Sequence, residues 1–347
     1  MGLNIKTPDY NSYEAMYKYC DTAQYSYVEI GFRSFCIICN KAGLSFQQFR
    51  MVFAALYLAI TLNTIQFFTK RRNYVLALFF IWPFIGFVSG MRFAMAAAIA
   101  CGSVRWLTEG SKRGTAKYII GIIVAAMFHY SAFFYLVFIF KRRKNTTKKK
   151  MLLVGFIILA SALIYSPLPL KIFQEILRNE KLLKWVILTD MAGVVHSNIL
   201  GFLANSFLVA GTSVLVNWAI RIIQHNKSNA LSNIRNVNLK SKASFAKILE
   251  RQHLRLEVVK RISILSLLII PGYIITSEYS RVFYGVLLLD YCVFAEAISI
   301  NGRKITAKSF FFSCVVVAWT CVLLWYYIYS YRSHDVFATL RDNLLFQ

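Results

Sequence analysis

Apolar residues in this chain gather into long runs separated by short basic clusters. Met51 to Phe68, Phe202 to Ile220 and Phe310 to Tyr331 each approach or exceed the roughly 18 residues that carry a helix across a bilayer. Further segments lie at Tyr74 to Phe87, Met91 to Leu107, Tyr118 to Phe140, Met151 to Tyr165, Leu200 to Ile220, Ile262 to Thr276, Val282 to Ile300 and Ser309 to Tyr331, two of them extending the runs above. The pattern predicts an all-α fold, a polytopic transmembrane helical bundle of about 9 to 10 membrane segments. No soluble domain remains to be assigned, so residues 1–347 read as a single integral membrane domain.

Composition agrees, since 58% of the residues are hydrophobic, far more than a soluble domain of this length needs. A formal charge of +25 would suggest nucleic acid in a soluble chain. In a membrane chain it is the distribution of Lys and Arg among loops that carries information. The segments 70–72, 109–117, 141–150, 221–261 and 301–308 hold 26 of the 40 basic side chains, which assigns them to the cytoplasm and removes the need for a nucleic-acid partner. Segments 1–50 and 168–198 are close to neutral and face outward. The expected location is the cytoplasmic (inner) membrane, multi-pass, with the C-terminal tail outside.

The run Tyr118 to Phe140 does not fit a simple crossing, because Lys117 and the KRRKNTTKKK stretch on either side both belong inside. The charge rule therefore predicts a re-entrant hairpin at 118–140. Its two half-helices of about ten residues would span roughly 15 to 18 Å each and turn near His129, Tyr130 and Ser131. A single crossing with its basic loop outside is the reading that rule disfavours. An outward segment of 50 residues without a signal peptide precedes the first strong span. The expectation is that the natural start lies upstream and that a first transmembrane helix precedes Met1. The basic 221–261 loop contains an amphipathic stretch, Ala243 to Val259, suited to anionic headgroups or a protein partner. The outer 168–198 loop, with EILRNEKLLKWVIL, reads as an interfacial helix.

Three basic side chains fall near the outer ends of spans, where each is costly unless water or a partner receives it: Arg92, His129 and Arg281. Each has a structural reading beside the functional one. Arg92 is a snorkelling arginine or an anion ligand, His129 a core histidine bonded to a freed carbonyl or a catalytic group, and Arg281 a partner of Glu278 or of substrate. Ser131 is a local cap or a ligand. Asp9 follows Pro8 as a turn former would, and Tyr10, Tyr13 and Tyr17 are interfacial aromatics or platforms for sugar rings. No Asp-x-Asp, His-x-x-x-His or phosphate-binding glycine loop is present, so no metal or cofactor is expected. The Cys36/Cys39 pair, with two isoleucines between, reads as packing.

In order along the chain, PDYNSYEAMY (8–17), EIGF (29–32), GMRFAMAAAIA (90–100), AAMFHYSA (125–132) and YSRVFYG (279–285) resemble the EpsG-like membrane proteins, which are similar to the Wzy-type polymerases of bacterial surface polysaccharides. Phe93 stands where the family commonly has Gln, and Phe283 and Tyr284 reverse a usual Tyr-Phe order. Lys6 falls where a basic residue precedes the acidic motif. The resemblance implies a metal-independent membrane glycosyltransferase, akin to the GT-C type. It would extend exopolysaccharide, capsule or O-antigen from polyprenyl-diphosphate-linked oligosaccharide at the outer face. Asp9, His129 and Arg92 would be its catalytic residues, Asp9 by analogy with the acidic residue of GT-C enzymes, with Arg281, Lys6, Tyr13, Tyr17 and Ser131 binding substrate. Its other partners would be membrane lipids, chain-length regulators and export proteins. A lipid-linked glycan ligase would share the arginines. A flippase or transporter would call for internal repeats, which the sequence lacks, and a membrane acyltransferase would use His129 as base.

Overall fold

A computed structural model describes residues 9–142, 155, 199–233, 239–275, 279–298 and 307–329. Among them are twelve α-helices: α1 (Tyr10–Lys18), α2 (Ile30–Lys41), α3 (Phe46–Phe68), α4 (Arg72–Ile81), α5 (Phe84–Ser89), α6 (Met91–Thr108), α7 (Lys112–Ala126), α8 (Ile199–Asn233), α9 (Leu239–Leu265), α10 (Gly272–Ile275), α11 (Ser280–Ile298) and α12 (Ala307–Tyr327). A 3-10 helix, Tyr130–Arg142, follows α7. Three helices are long and apolar enough to cross a membrane, Phe46–Phe68, Ile199–Asn226 and Ala307–Tyr327, and they make this a multi-pass membrane protein. Lys6, the Met151 to Tyr165 run, the 168–198 loop and the C-terminal tail lie outside the described residues.

Local chemistry sets several boundaries. The α3 helix begins earlier than its apolar run because Ser45 and Gln48 form a capping box, each side chain bonded to the other's backbone N–H, which satisfies two of the free donors of the first turn. Ser111 caps α7 with one bond only, accepting from Gly114 N at 2.8 Å. The Tyr74 to Phe87 run, expected as one return, is two helices, α4 and α5, separated at Trp82 and Pro83; proline supplies no N–H to continue the first. The expected span Ile262 to Thr276 is not separate either. Its first residues finish the long α9, and the chain then tightens into a 3-10 turn, Ser266–Ile269, before Pro271 and Gly272.

The centre of the bundle is α11. Every residue from Val282 to Ile298 is buried, which accords with a sequence apolar on all sides. Helices α3, α4, α6, α8, α9 and α12 pack around it. The alanine-rich α6 comes very close. A Cβ on Gly285 would stand 3.2 Å from Ala97 Cβ and 2.1 Å from the Tyr135 hydroxyl, so only glycine permits both contacts. The Cys101 thiol donates to the Gly285 carbonyl at 2.9 Å, and the Tyr135 hydroxyl donates to the Val282 carbonyl at 3.0 Å.

After α7 the chain reverses at Met127 to His129. The Tyr118 hydroxyl donates to the Tyr135 carbonyl at 2.7 Å, so the returning 3-10 helix lies along α7. It is more extended than the α-helix expected for this limb, because 3-10 geometry rises about 2.0 Å per residue against 1.5 Å.

The opposite end of the bundle is tied by a polar clasp. Glu296, in the last turn of α11, accepts from the Thr69 hydroxyl at 2.5 Å and from the Gln252 amide of α9. Arg255, one turn further along α9, donates to the Phe67 carbonyl at 2.8 Å and lies over the Phe67 ring at 4.0 Å. Both of the free carboxylate oxygens and the terminal carbonyl of α3 thus receive donors, as buried helix ends require.

Candidate active site

Arg92 is the second residue of α6, and Nη1 donates to Glu29 Oε2 at 2.5 Å. Glu29 is the N-cap of α2 and its side chain is only 6% exposed, against 23% for Arg92. The bond uses a single donor. Arg92 Nε is buried with no acceptor among the described residues, so this planar, five-donor group has capacity left for another oxygen. The Tyr13 ring lies 5.9 Å from the guanidinium. Burial pushes the Tyr13 phenol above its ordinary value, with the Arg92 charge pulling against it.

The start of α2 meets the end of α7 here. Gly31 and Phe32 N–H groups donate to the Met127 carbonyl at 2.8 and 3.2 Å, each helix satisfying the other's free end. A Cβ at Gly31 would fall 2.8 Å from that carbonyl oxygen, which explains why glycine follows Ile30. Two residues beyond Met127 is His129. The Ser131 N–H donates to His129 Nδ1 at 3.3 Å, and the Ser131 hydroxyl is 2.7 Å from the same nitrogen. Because Nδ1 accepts the backbone bond, the neutral ring carries its proton on Nε2. The imidazole stands edge-on to Phe93 at 5.6 Å, the residue after Arg92. One side chain therefore connects the Arg92–Glu29 pair to the His129–Ser131 pair.

Arg281 is the second residue of α11 and half-buried. Its level follows from the packing of α6 on α11: Ala97 lies against Gly285, and Arg92 and Arg281 precede those two residues by five and four positions. At 1.5 Å per residue, both arginines stand about 6 to 8 Å above the contact, on the same end of two parallel helices. The positive ends of both helix dipoles point the same way, and a site with this character favours anions.

The α1 residues divide. Asp9 is the N-cap of α1, its carbonyl accepting from Tyr13 N at 2.9 Å, and its charge acts on Tyr13. Tyr17 is packed away: its hydroxyl donates to the Leu44 carbonyl at 2.5 Å, its ring stacks near Phe49 at 4.7 Å, and burial raises its phenol to about 12. Tyr10 lies under the buried Arg50 guanidinium, 4.9 Å from the ring. Glu29 is the residue of this region that sequence reasoning did not select. Its signal was the EIGF string, whose glycine and acid both turn out to make contacts with distant helices.

An all-helical bundle with long apolar helices that gathers a guanidinium, an imidazole and a carboxylate at one end is a polytopic membrane protein with a polar site at one end of its helices. The EpsG family model matches residues 1–338, and the chain belongs to the EpsG family, a membrane polysaccharide-biosynthesis family. Searches of curated proteins and of solved structures returned no match.

Proposed function

We propose that the chain is a polysaccharide polymerase of the outer face of the cytoplasmic membrane. It transfers a growing glycan from its polyprenyl diphosphate carrier onto the next lipid-linked repeat unit. In this reaction the acceptor hydroxyl oxygen bonds to the anomeric carbon of the donor, the anomeric carbon–oxygen bond to the diphosphate breaks, and the electron pair leaves with the diphosphate. The observation that carries the reading is Arg92, whose Nε is buried without an acceptor among the described residues at the start of α6, level with Arg281. Guanidinium donors fixed in a low-dielectric site stabilise charge developing on a leaving diphosphate without reorganising.

In this reading Arg92 and Arg281 hold the diphosphate, and Ser131 and, by the sequence motif alone, Lys6 contribute further contacts to substrate. Tyr13, beside the Arg92 guanidinium, is the aromatic contact for sugar, whereas Tyr17 supports the fold, and Asp9 and His129 are the sequence's candidates for the acceptor base. The reversal at Met127 to His129 is the tip of a hairpin entering from the cytoplasm, which supplies irregular backbone where a polar site needs it. Membrane lipids, chain-length regulators and export proteins are the other partners.

The test is polymer formation in membranes supplied with the lipid-linked repeat units that accumulate in cells lacking this chain. Arg92→Lys and Arg281→Lys keep the charge and lose the planar fork. Each is expected to lower turnover by about 10 to 1000-fold at normal membrane abundance, with single repeat units accumulating. Full-length polymer from both variants overturns the reading.

A further inference from the structure

The bond between Arg92 and Glu29 raises a chemical question that the polymerase reading leaves open. A guanidinium meant for diphosphate is already neutralised, by a carboxylate that is itself almost wholly buried. Burying such a pair costs desolvation that its attraction only partly returns, so a purely structural contact between α2 and α6 would be served as well by apolar side chains. The geometry is also incomplete. Only one donor of Arg92 reaches Glu29, and Nε has no acceptor among the described residues, whereas an arginine–carboxylate pair built for stability is commonly bidentate.

We propose that Glu29 is the acceptor base, held in reserve by Arg92 and freed when the donor diphosphate takes its place on the guanidinium. This rests on the polymerase reading and completes it. A diphosphate offers several anionic oxygens, more than one of which can engage Nε and the outer nitrogens together, so it competes well against a carboxylate held by one bond. Displaced by it, Glu29 is an unpaired carboxylate beside the reacting centre. It accepts the proton of the acceptor hydroxyl as that oxygen bonds to the anomeric carbon, the diphosphate departs with the electron pair, and Glu29 then gives its proton to water. Proton acceptance is thereby coupled to donor occupancy: with no donor bound, the base is masked and the site does not activate water or a stray hydroxyl.

Position supports Glu29 for this task. It is fixed by the α2 N-terminus, whose Gly31 and Phe32 N–H groups are bonded to Met127 O, so its backbone stays in place when its side chain changes partner. Arg92 on α6 is bonded to it, Tyr13 on α1 lies beside the Arg92 guanidinium, and His129 lies against Phe93, the residue after Arg92; Arg33 shares its helix but is turned to the Cys20 carbonyl at 2.7 Å.

The experiment compares wild type, Glu29→Gln, Glu29→Asp and Arg92→Lys in the full chain. Farnesyl diphosphate is the binding probe, and the accumulated lipid-linked repeat units are the turnover substrate. Glu29→Gln is expected to bind farnesyl diphosphate at least as tightly as wild type, because the competing charge is gone. Its turnover should fall by about 100 to 10,000-fold, the range for loss of a general base, and the acidic limb of the pH–rate profile should disappear. Glu29→Asp keeps that limb and recovers part of the rate, which separates loss of the base from misfolding. Arg92→Lys is expected to lose about tenfold or more in farnesyl diphosphate affinity. Near-normal turnover in Glu29→Gln overturns the proposal, and so does joint loss of probe binding and turnover, which would make Glu29 a mere support for Arg92. Wild-type membranes that bind the probe yet elongate nothing would instead sink the polymerase reading, and the proton transfer with it.

Discussion

The two ends of the bundle solve the same problem in different ways. At the Glu296 end, a buried carboxylate accepts from Thr69 and Gln252, and Arg255 closes the carbonyl end of α3 at Phe67. At the Arg92 end, Glu29 accepts a single bond from Arg92 and the guanidinium Nε is buried with no acceptor among the described residues. Polar groups in a membrane bundle are normally satisfied because hydrocarbon offers no alternative. A closed network is therefore what holding helices together looks like, and the open donor beside the Arg92–Glu29 pair is where a substrate oxygen is expected to bind. Both ends pair residues from three helices, so packing alone does not account for the contrast.

Substitutions at the two ends are expected to separate chemistry from stability. The largest effect on turnover belongs to the Arg92 end. Glu29→Gln and the Arg→Lys variants at 92 and 281 should abolish most polymer while membrane abundance and melting temperature stay near wild type. If these variants melt early in step with their lost activity, the two ends are alike and the comparison fails.

Next in size is Gly285→Ala, which places a methyl 2.1 Å from the Tyr135 hydroxyl where α6, α11 and the 3-10 helix meet. Overpacking there is expected to cost about 1 to 3 kcal/mol, read as lower melting temperature in detergent. It should lower turnover as well, since the same contact sets Arg92 and Arg281 level. Unchanged melting would show that α6 and α11 approach less closely than described.

At the Glu296 end the signature reverses. Glu296→Ala strands the Thr69 hydroxyl and the Gln252 amide, and each buried group left unpaired costs about 1 to 3 kcal/mol. Abundance should fall while turnover per molecule holds. A loss of turnover per molecule at full stability would place chemistry at this end as well.

The smallest effect is expected from Asp290→Asn. Asp290 is fully buried midway along α11, with Ser263 of α9 as a polar neighbour. A transporter that moved protons with its cargo would need such a carboxyl. The polymerase reading does not use it, so turnover by the Asn variant should remain close to wild type. Abolished function in this variant alone would shift the assignment toward transport.

By itself the sequence determined what each segment can do locally. Apolar runs marked the helices that became α3, α8 and α12, because transfer into hydrocarbon is summed residue by residue over a stretch of chain. The basic residues on both sides of Tyr118 to Phe140 predicted a reversal, and the chain turns at Met127 to His129. The Gly-x-Arg and Phe-His-x-Ser strings singled out Arg92, His129 and Ser131, and they identified the family. Proline at 83 was as visible as any of these, yet its break between α4 and α5 was passed over because the flanking run is apolar throughout. Partners were decided only by the tertiary structure. Glu29 meets Arg92 across 63 positions, Cys101 meets Gly285 across 184, and Thr69 meets Glu296 across 227. Hydropathy and charge say on which side of a membrane a residue lies, but a hydrogen bond needs two groups within about 3 Å. That condition is met only once close packing at Gly285 and Gly31 has fixed how far each helix slides along its neighbour.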